Sequence, residues 1–194
     1  LGRLLYETCD RDRWELVLFF KGAAGCGKST IANVIKHLYP ASMIAVLSSN
    51  AEMKFALSAI WNKRLAICTE VKERFCIDNG DLQSMISGEE VSVPVKFQTA
   101  KTVRWTTPLL LCGNEAARNW VDCAGSMTRR MFCVEMRKGV AEKDMSLYSR
   151  IVGDRDGHEG ELGPLLRKLN RAYLSAVGRF RNVDLWGKDA DGVN

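Results

Sequence analysis

A chain of 194 residues, 46% of them hydrophobic and 26% charged, is long enough for one α/β domain with a substantial core and ordinary in composition for a globular protein. Its net charge of +5 is compatible with a polyanionic partner without requiring one. No apolar run approaches the length of a membrane-spanning helix and no signal peptide is recognisable, so no membrane partner is expected.

Residues 1–14 are expected to form a short helical extension. "ELVLFF" (15–20) reads as a buried strand, because five apolar residues follow one another without a polar break. "GAAGCGKS" (22–29) interrupts it, and "STIANVIKHLY" carries apolar residues at 31, 34, 35 and 38, the stripe of an amphipathic helix. "MIAVL" (43–47) predicts a second buried strand, and residues 50–61 a helix that Asn50 could cap. "RLAIC" (64–68) predicts a third strand, ending before Thr69 and Glu70. A short helix over "DLQSMIS" leads to Gly88, and "VSVPVKF" and "KTVRWT" form a hairpin broken at residues 98–100. "PLLLC" (108–112) is another apolar strand, "RRMFCVEM" a strand opened by two arginines, and "ELGPLLRKLNRAYLSAV" a helix before a polar tail. Strands alternating with helices predict a mostly parallel sheet covered on both faces.

The stretch from Gly22 to Ser29 fits G-x-x-x-x-G-K-[ST], the phosphate-binding P-loop. Its glycines let backbone N–H groups converge on an anion, and the following helix adds its N-terminal N–H groups and dipole. Gly22, Ala23, Ala24, Gly25, Cys26, Gly27, Lys28, Ser29 and Thr30 are therefore the candidate ATP-binding residues, with Lys28 on the β- and γ-phosphates and Ser29 on Mg²⁺. Glu70, just past a buried strand, suits Mg²⁺ binding or polarisation of water. Asn114, after "PLLLCG", is placed to contact the γ-phosphate or the attacking water, although an asparagine after glycine is also a common turn.

Arg129 and Arg130 have no acidic residue near them in sequence, so either could be presented to another subunit's nucleotide, or both could be a solvated rim. Lys96 and Lys101 near the hairpin tip, flanked by Phe97 and Trp105, suit phosphates and stacked bases. The alternative is an exposed ribbon whose aromatics pack on the core. Seven cysteines, two histidines and no C-x-x-C argue against a zinc site. They suit small buried residues in a reducing, intracellular setting, with Cys26 an incidental oxidation liability. A first residue other than methionine leads us to expect a piece of a longer protein.

Taken in order, "FFKGAAGCGKST", "MISGEEVSVPVKFQTAKTVRW", "PLLLCGNE" and "GSMTRRMFCVEM" resemble the superfamily 3 helicases, specifically the poxvirus-type primase-helicase group of large DNA viruses and some phages. The similar stretch covers residues 19–136. The resemblance implies an AAA+ type core that assembles as a ring, usually a hexamer, and translocates 3′ to 5′ on single-stranded DNA. It further implies a Walker A motif in Gly22, Gly25, Gly27, Lys28 and Ser29, a Walker B acid in Glu70 and a sensor in Asn114. Arg130 matches the arginine finger, with Arg129 as the fallback, and residues 91–105 match the DNA-tracking hairpin, which puts Lys96 or Lys101 in the channel. Thr69 stands where many relatives carry a second acid.

The division implied is an extension (1–14), an AAA+ helicase core (15–140) and a C-terminal helical segment and tail (141–194). An N-terminal primase region in the same chain and a place at the site of viral DNA replication, in host cytoplasm or nucleus, are expected with it. Two other classes compete: a small-molecule P-loop kinase, and a non-translocating nucleic-acid-binding P-loop ATPase or assembly module.

Overall fold

The apolar runs become strands of one parallel sheet in the computed structural model, which describes residues 1–48, 53–95, 99–120, 125–153, 159–181 and 183. The strands are β1 (Val17–Gly22), β2 (Ile44–Leu47), β3 (Leu65–Val71), β6 (Leu109–Gly113) and β7 (Met131–Met136), in spatial order β2-β3-β6-β1-β7. All four neighbouring pairs run parallel. The helices are α1 (Lys28–Lys36), α2 (Met53–Ile60), α3 (Asn79–Ser87), α4 (Leu147–Val152) and α5 (Leu162–Phe180). Two further strands, β4 (Glu90–Val93) and β5 (Lys101–Arg104), pair antiparallel as a separate hairpin.

Side chains that alternate along a strand divide the core into two layers. Val17, Phe19, Ala66, Cys68, Leu109 and Leu111 face a layer with α2, α3 and the hairpin's Val91, Val93 and Trp105. Phe20, Leu65, Ile67, Leu110 and Cys112 face the other, with Ala32 and Ile35 of α1, Leu4, and Leu169 of α5. The expected sheet with helices on both faces is what folds. No helix among the described residues is long and apolar enough to cross a membrane.

Several local expectations are corrected. The first residues form only a 3₁₀ turn at Gly2–Leu5. What organises them is Asp12, 2% exposed, which accepts hydrogen bonds from Arg3 Nε (2.9 Å), the Trp14 backbone N–H (3.0 Å) and Tyr173 Oη (2.5 Å). A buried carboxylate requires such partners, and a chain that turns at Thr8–Cys9 brings them together. β2 lies at a sheet edge, with Val46 57% exposed. Thr69 and Glu70 belong to β3 itself, at an irregularity between Cys68 and Val71. Cys26, Cys68, Cys76 and Cys112 are buried, whereas Cys133 is exposed on the edge strand β7. Asn50 and Cys123 lie outside the described residues.

Candidate nucleotide site

The strand order decides where the chemistry can gather. β1 lies next to β6, and β6 next to β3, so their carboxyl ends open on one edge of the sheet. The glycine-rich loop continues β1 there. Gly113 is level with Lys21 on one side and Val71 on the other, which brings Glu70 and Asn114 to the same edge across strand spacings of about 4.8 Å. Residues 24–30, Thr69, Glu70, Gly113 and Asn114 line one cavity of about 960 Å³.

The loop has the backbone an anion cradle needs. Gly25 (φ 79°) and Gly27 (φ 95°) lie in the left-handed region, which a β-carbon disfavours. Gly22 is glycine for a different reason: a Cβ there would sit 2.4 Å from the Met136 carbonyl oxygen of β7. Lys28, the first residue of α1 and 8% exposed, donates to the carbonyls of Gly22 (2.5 Å) and Ala23 (2.8 Å) and to Asn114 Oδ1 (3.2 Å). An ammonium held on weakly basic carbonyls can exchange them for phosphate oxygens. The loop curvature, the N-terminus of α1 and the lysine together fit a polyphosphate. Ser29 and Glu70, hard oxygen donors on the same cavity, fit Mg²⁺.

Not foreseen is the strap after β7. Val140 N–H donates to the Gly25 carbonyl (3.2 Å), and Lys143, Asp144 and Tyr148 join the cavity wall. The clue was present in Asp144-Met-Ser146, where the carboxylate accepts from the Ser146 backbone N–H (2.9 Å) and hydroxyl (2.7 Å), an Asx turn leading into α4. Cys112, two residues before Asn114, is pushed up to about 12 by burial and stays a neutral packing residue.

The two arginines separate. Both lie in a 3₁₀ turn (Thr128–Arg130) before β7. Arg130 is 8% exposed and does have an acidic partner: Nη2 is 2.8 Å from Glu15 Oε2. It also donates to the Ser126 carbonyl (3.0 Å) and reaches Ser87 Oγ (3.3 Å). Arg129 is exposed. Met131 is level with Val17 and Met136 with Gly22, so this turn and the glycine-rich loop lie at opposite ends of β1 and β7, roughly 17 Å apart at ~3.3 Å per residue. Neither arginine lines this cavity.

On the hairpin, Lys101 is exposed and opposite Val93. Lys96 and Phe97 fall outside the described residues. Trp105 is no stacking platform: it is 1% exposed, packs in the core and donates Nε1–H to the Thr107 carbonyl at 2.7 Å.

Comparison with known proteins gives a matching fold. The model of the family described as "Family of unknown function (DUF5906)" matches residues 20–130. The apo structure of the NrS-1 C-terminal region (A form) aligns with a TM-score of 0.55 at 14% identity, over 84% of this chain and 43% of its own. A second apo structure of that region gives 0.55 at 12%, over 86% and 44%. JCV helicase bound to a thiazolopyridine-bearing acetamide gives 0.50 at 15%, over 87% and 56%. The chain therefore spans between 43% and 56% of the length of these structures. No curated protein matches it.

Proposed function

The chain belongs to the family of unknown function DUF5906, and since that description carries no activity, we propose from the site itself an ATP-dependent DNA helicase motor. In this reading residues 15–140 are the motor core of a viral or phage primase-helicase of the poxvirus type. It forms a homo-oligomeric ring, a hexamer in the full-length protein, and moves on single-stranded DNA during genome replication inside the host cell. The observation that carries it is the meeting of Lys28 with Asn114 beside Glu70, at the carboxyl edge of a parallel sheet whose fold is that of a solved helicase.

ATP supplies a transferable γ-phosphoryl group whose developing charge must be met by fixed cations and donors. Lys28 would exchange its loop carbonyls for the β- and γ-phosphate oxygens. Ser29 and Glu70 would hold Mg²⁺, with Glu70 also polarising the attacking water because Thr69 offers no second carboxylate. Asn114, freed from Lys28, would orient that water.

The experiment is an ATPase assay with and without single-stranded DNA. Stimulation by DNA supports the motor; turnover indifferent to DNA points to a kinase, and no turnover to a non-hydrolysing module. Glu70→Gln should keep ATP affinity while slowing turnover by about 10²-fold or more, as expected for loss of a general base. Undiminished turnover would remove that carboxylate from the mechanism.

The hairpin carries the DNA in this reading. A motor must hold a strand without reading it, so phosphate contacts by Lys101 and Lys96 are expected. Each one lost should flatten the salt slope of single-strand binding by about 0.7. Lys101→Ala should therefore weaken binding equally on dT and mixed-sequence oligonucleotides and reduce DNA-stimulated turnover. If the Lys96→Ala/Lys101→Ala double variant keeps both affinity and slope, the DNA path lies elsewhere.

A further inference from the structure

α5 carries Arg167, Lys168, Arg171 and Arg179 and no acidic residue, so four cations of a chain whose net charge is +5 lie on one helix. Its inner face is accounted for: Leu169 joins the core layer of α1, Asn170 accepts from Tyr6 Oη (2.6 Å) and Tyr173 is buried on Asp12. At 100° per residue, Arg167, Lys168 and Arg171 project opposite Tyr173, and all three are exposed. None of them makes an ion pair among the described residues.

Helix physics gives no reason for this pattern. Arg179, in the last turn, complements the helix dipole, but Arg167, Lys168 and Arg171 lie too far from the C-terminus to do so. Arg167 and Arg171 are a like-charge i,i+4 pair, which weakens a helix. A surface helix ordinarily intersperses both signs. Three cations with no ion pair among the described residues, within about 6 Å of helix axis, match the charge spacing of a nucleic-acid strand, about 3.4 Å per phosphate.

We propose that this face of α5 is a second nucleic-acid contact, holding the phosphate backbone without reading its sequence. It packs against the opposite face of the sheet from the hairpin, so it would grip DNA outside the hairpin's path. The inference rests on the motor reading for the presence of DNA, but not on the hairpin.

The test is the triple variant R167Q/K168Q/R171Q, bound to fluorescein-labelled dT oligonucleotide and to a blunt duplex across a salt series. Glutamine keeps helix propensity, and the melting temperature checks the fold; if the triple variant melts early, the single variants R167Q and R171Q replace it. The slope of log K against log salt should flatten by about 2 on the single strand if that form is held, or by about 2.7 on the duplex if the duplex is, and the probe whose slope comes closer to its own expected change identifies the form. The charge-conserving R167K/R171K pair should keep the parental slope. Parental slopes on both probes in the triple variant overturn the proposal, and so does a flattened slope in the R167K/R171K pair. If the triple variant is neutral while Lys101→Ala weakens binding, the helix site falls and the motor reading stands. If Lys101→Ala is neutral while the triple variant flattens the slope, the helix site stands and the hairpin path falls.

Discussion

Lys28→Ala is expected to lower ATP turnover by at least about 10²–10³-fold, the loss that follows removal of one preorganised group from a phosphoryl or acyl transition state. The reason is local. Lys28 is the one cation of the loop, 8% exposed and already within reach of the Gly22 and Ala23 carbonyls and Asn114 Oδ1. No other ammonium or guanidinium stands between residues 22 and 30. The variant should still fold, because Lys28 lies at the first position of α1, where alanine is at least as good a helix former. A melting temperature close to that of the parent beside lost turnover is the expected pair of results. Turnover within a few-fold of the parent would mean that hydrolysis does not use this loop, and with it the motor reading would fall.

The glycine-rich loop and the strands around it were legible because their signals are local. A P-loop is a contiguous word, and strands such as "LLLC" and "RLAIC", buried on both faces, are near-continuous apolar runs. What was not legible depends on partners far away in the chain. Arg130 looks unpaired in any window of sequence, yet Glu15 closes on it from a distance of over a hundred residues. Trp105 beside lysines has the composition of a stacking platform, and only the hairpin's lean against α3 and the sheet turns the ring inward. The first residues read as a weak helix because nothing local shows that Asp12 is claimed by Tyr173. Glu70 reads in the sequence as lying just past a strand, whereas the structure holds it within β3, at an irregularity that has no sequence mark.

The exposed Arg129 and the buried, paired Arg130 are expected to respond differently to substitution. If a finger acts across a subunit boundary, the structure favours Arg129, which is exposed, over Arg130, whose guanidinium is committed to Glu15, Ser126 and Ser87. Arg130→Ala should then behave as a stability variant. Hydrogen bonds to charged groups contribute about 1.5–3 kcal/mol; because Glu15 is half exposed and can rehydrate, a loss of about 1–2 kcal/mol is expected, lowering Tm by roughly 2–8 °C in a chain of this size. Arg129→Ala should leave Tm unchanged and ATP affinity intact, while turnover of the assembled protein falls by on the order of 10³-fold or more. Mixing decides between cis and trans roles. Protomers with Arg129→Ala keep an intact pocket and protomers with Lys28→Ala an intact finger, so the mixture should recover part of the activity that neither has alone. Recovery with Arg130→Ala in place of Arg129→Ala would assign the finger to Arg130, and its bond to Glu15 would then have to break on assembly. No recovery with either, under conditions where the parent assembles, would leave no trans arginine in this turn.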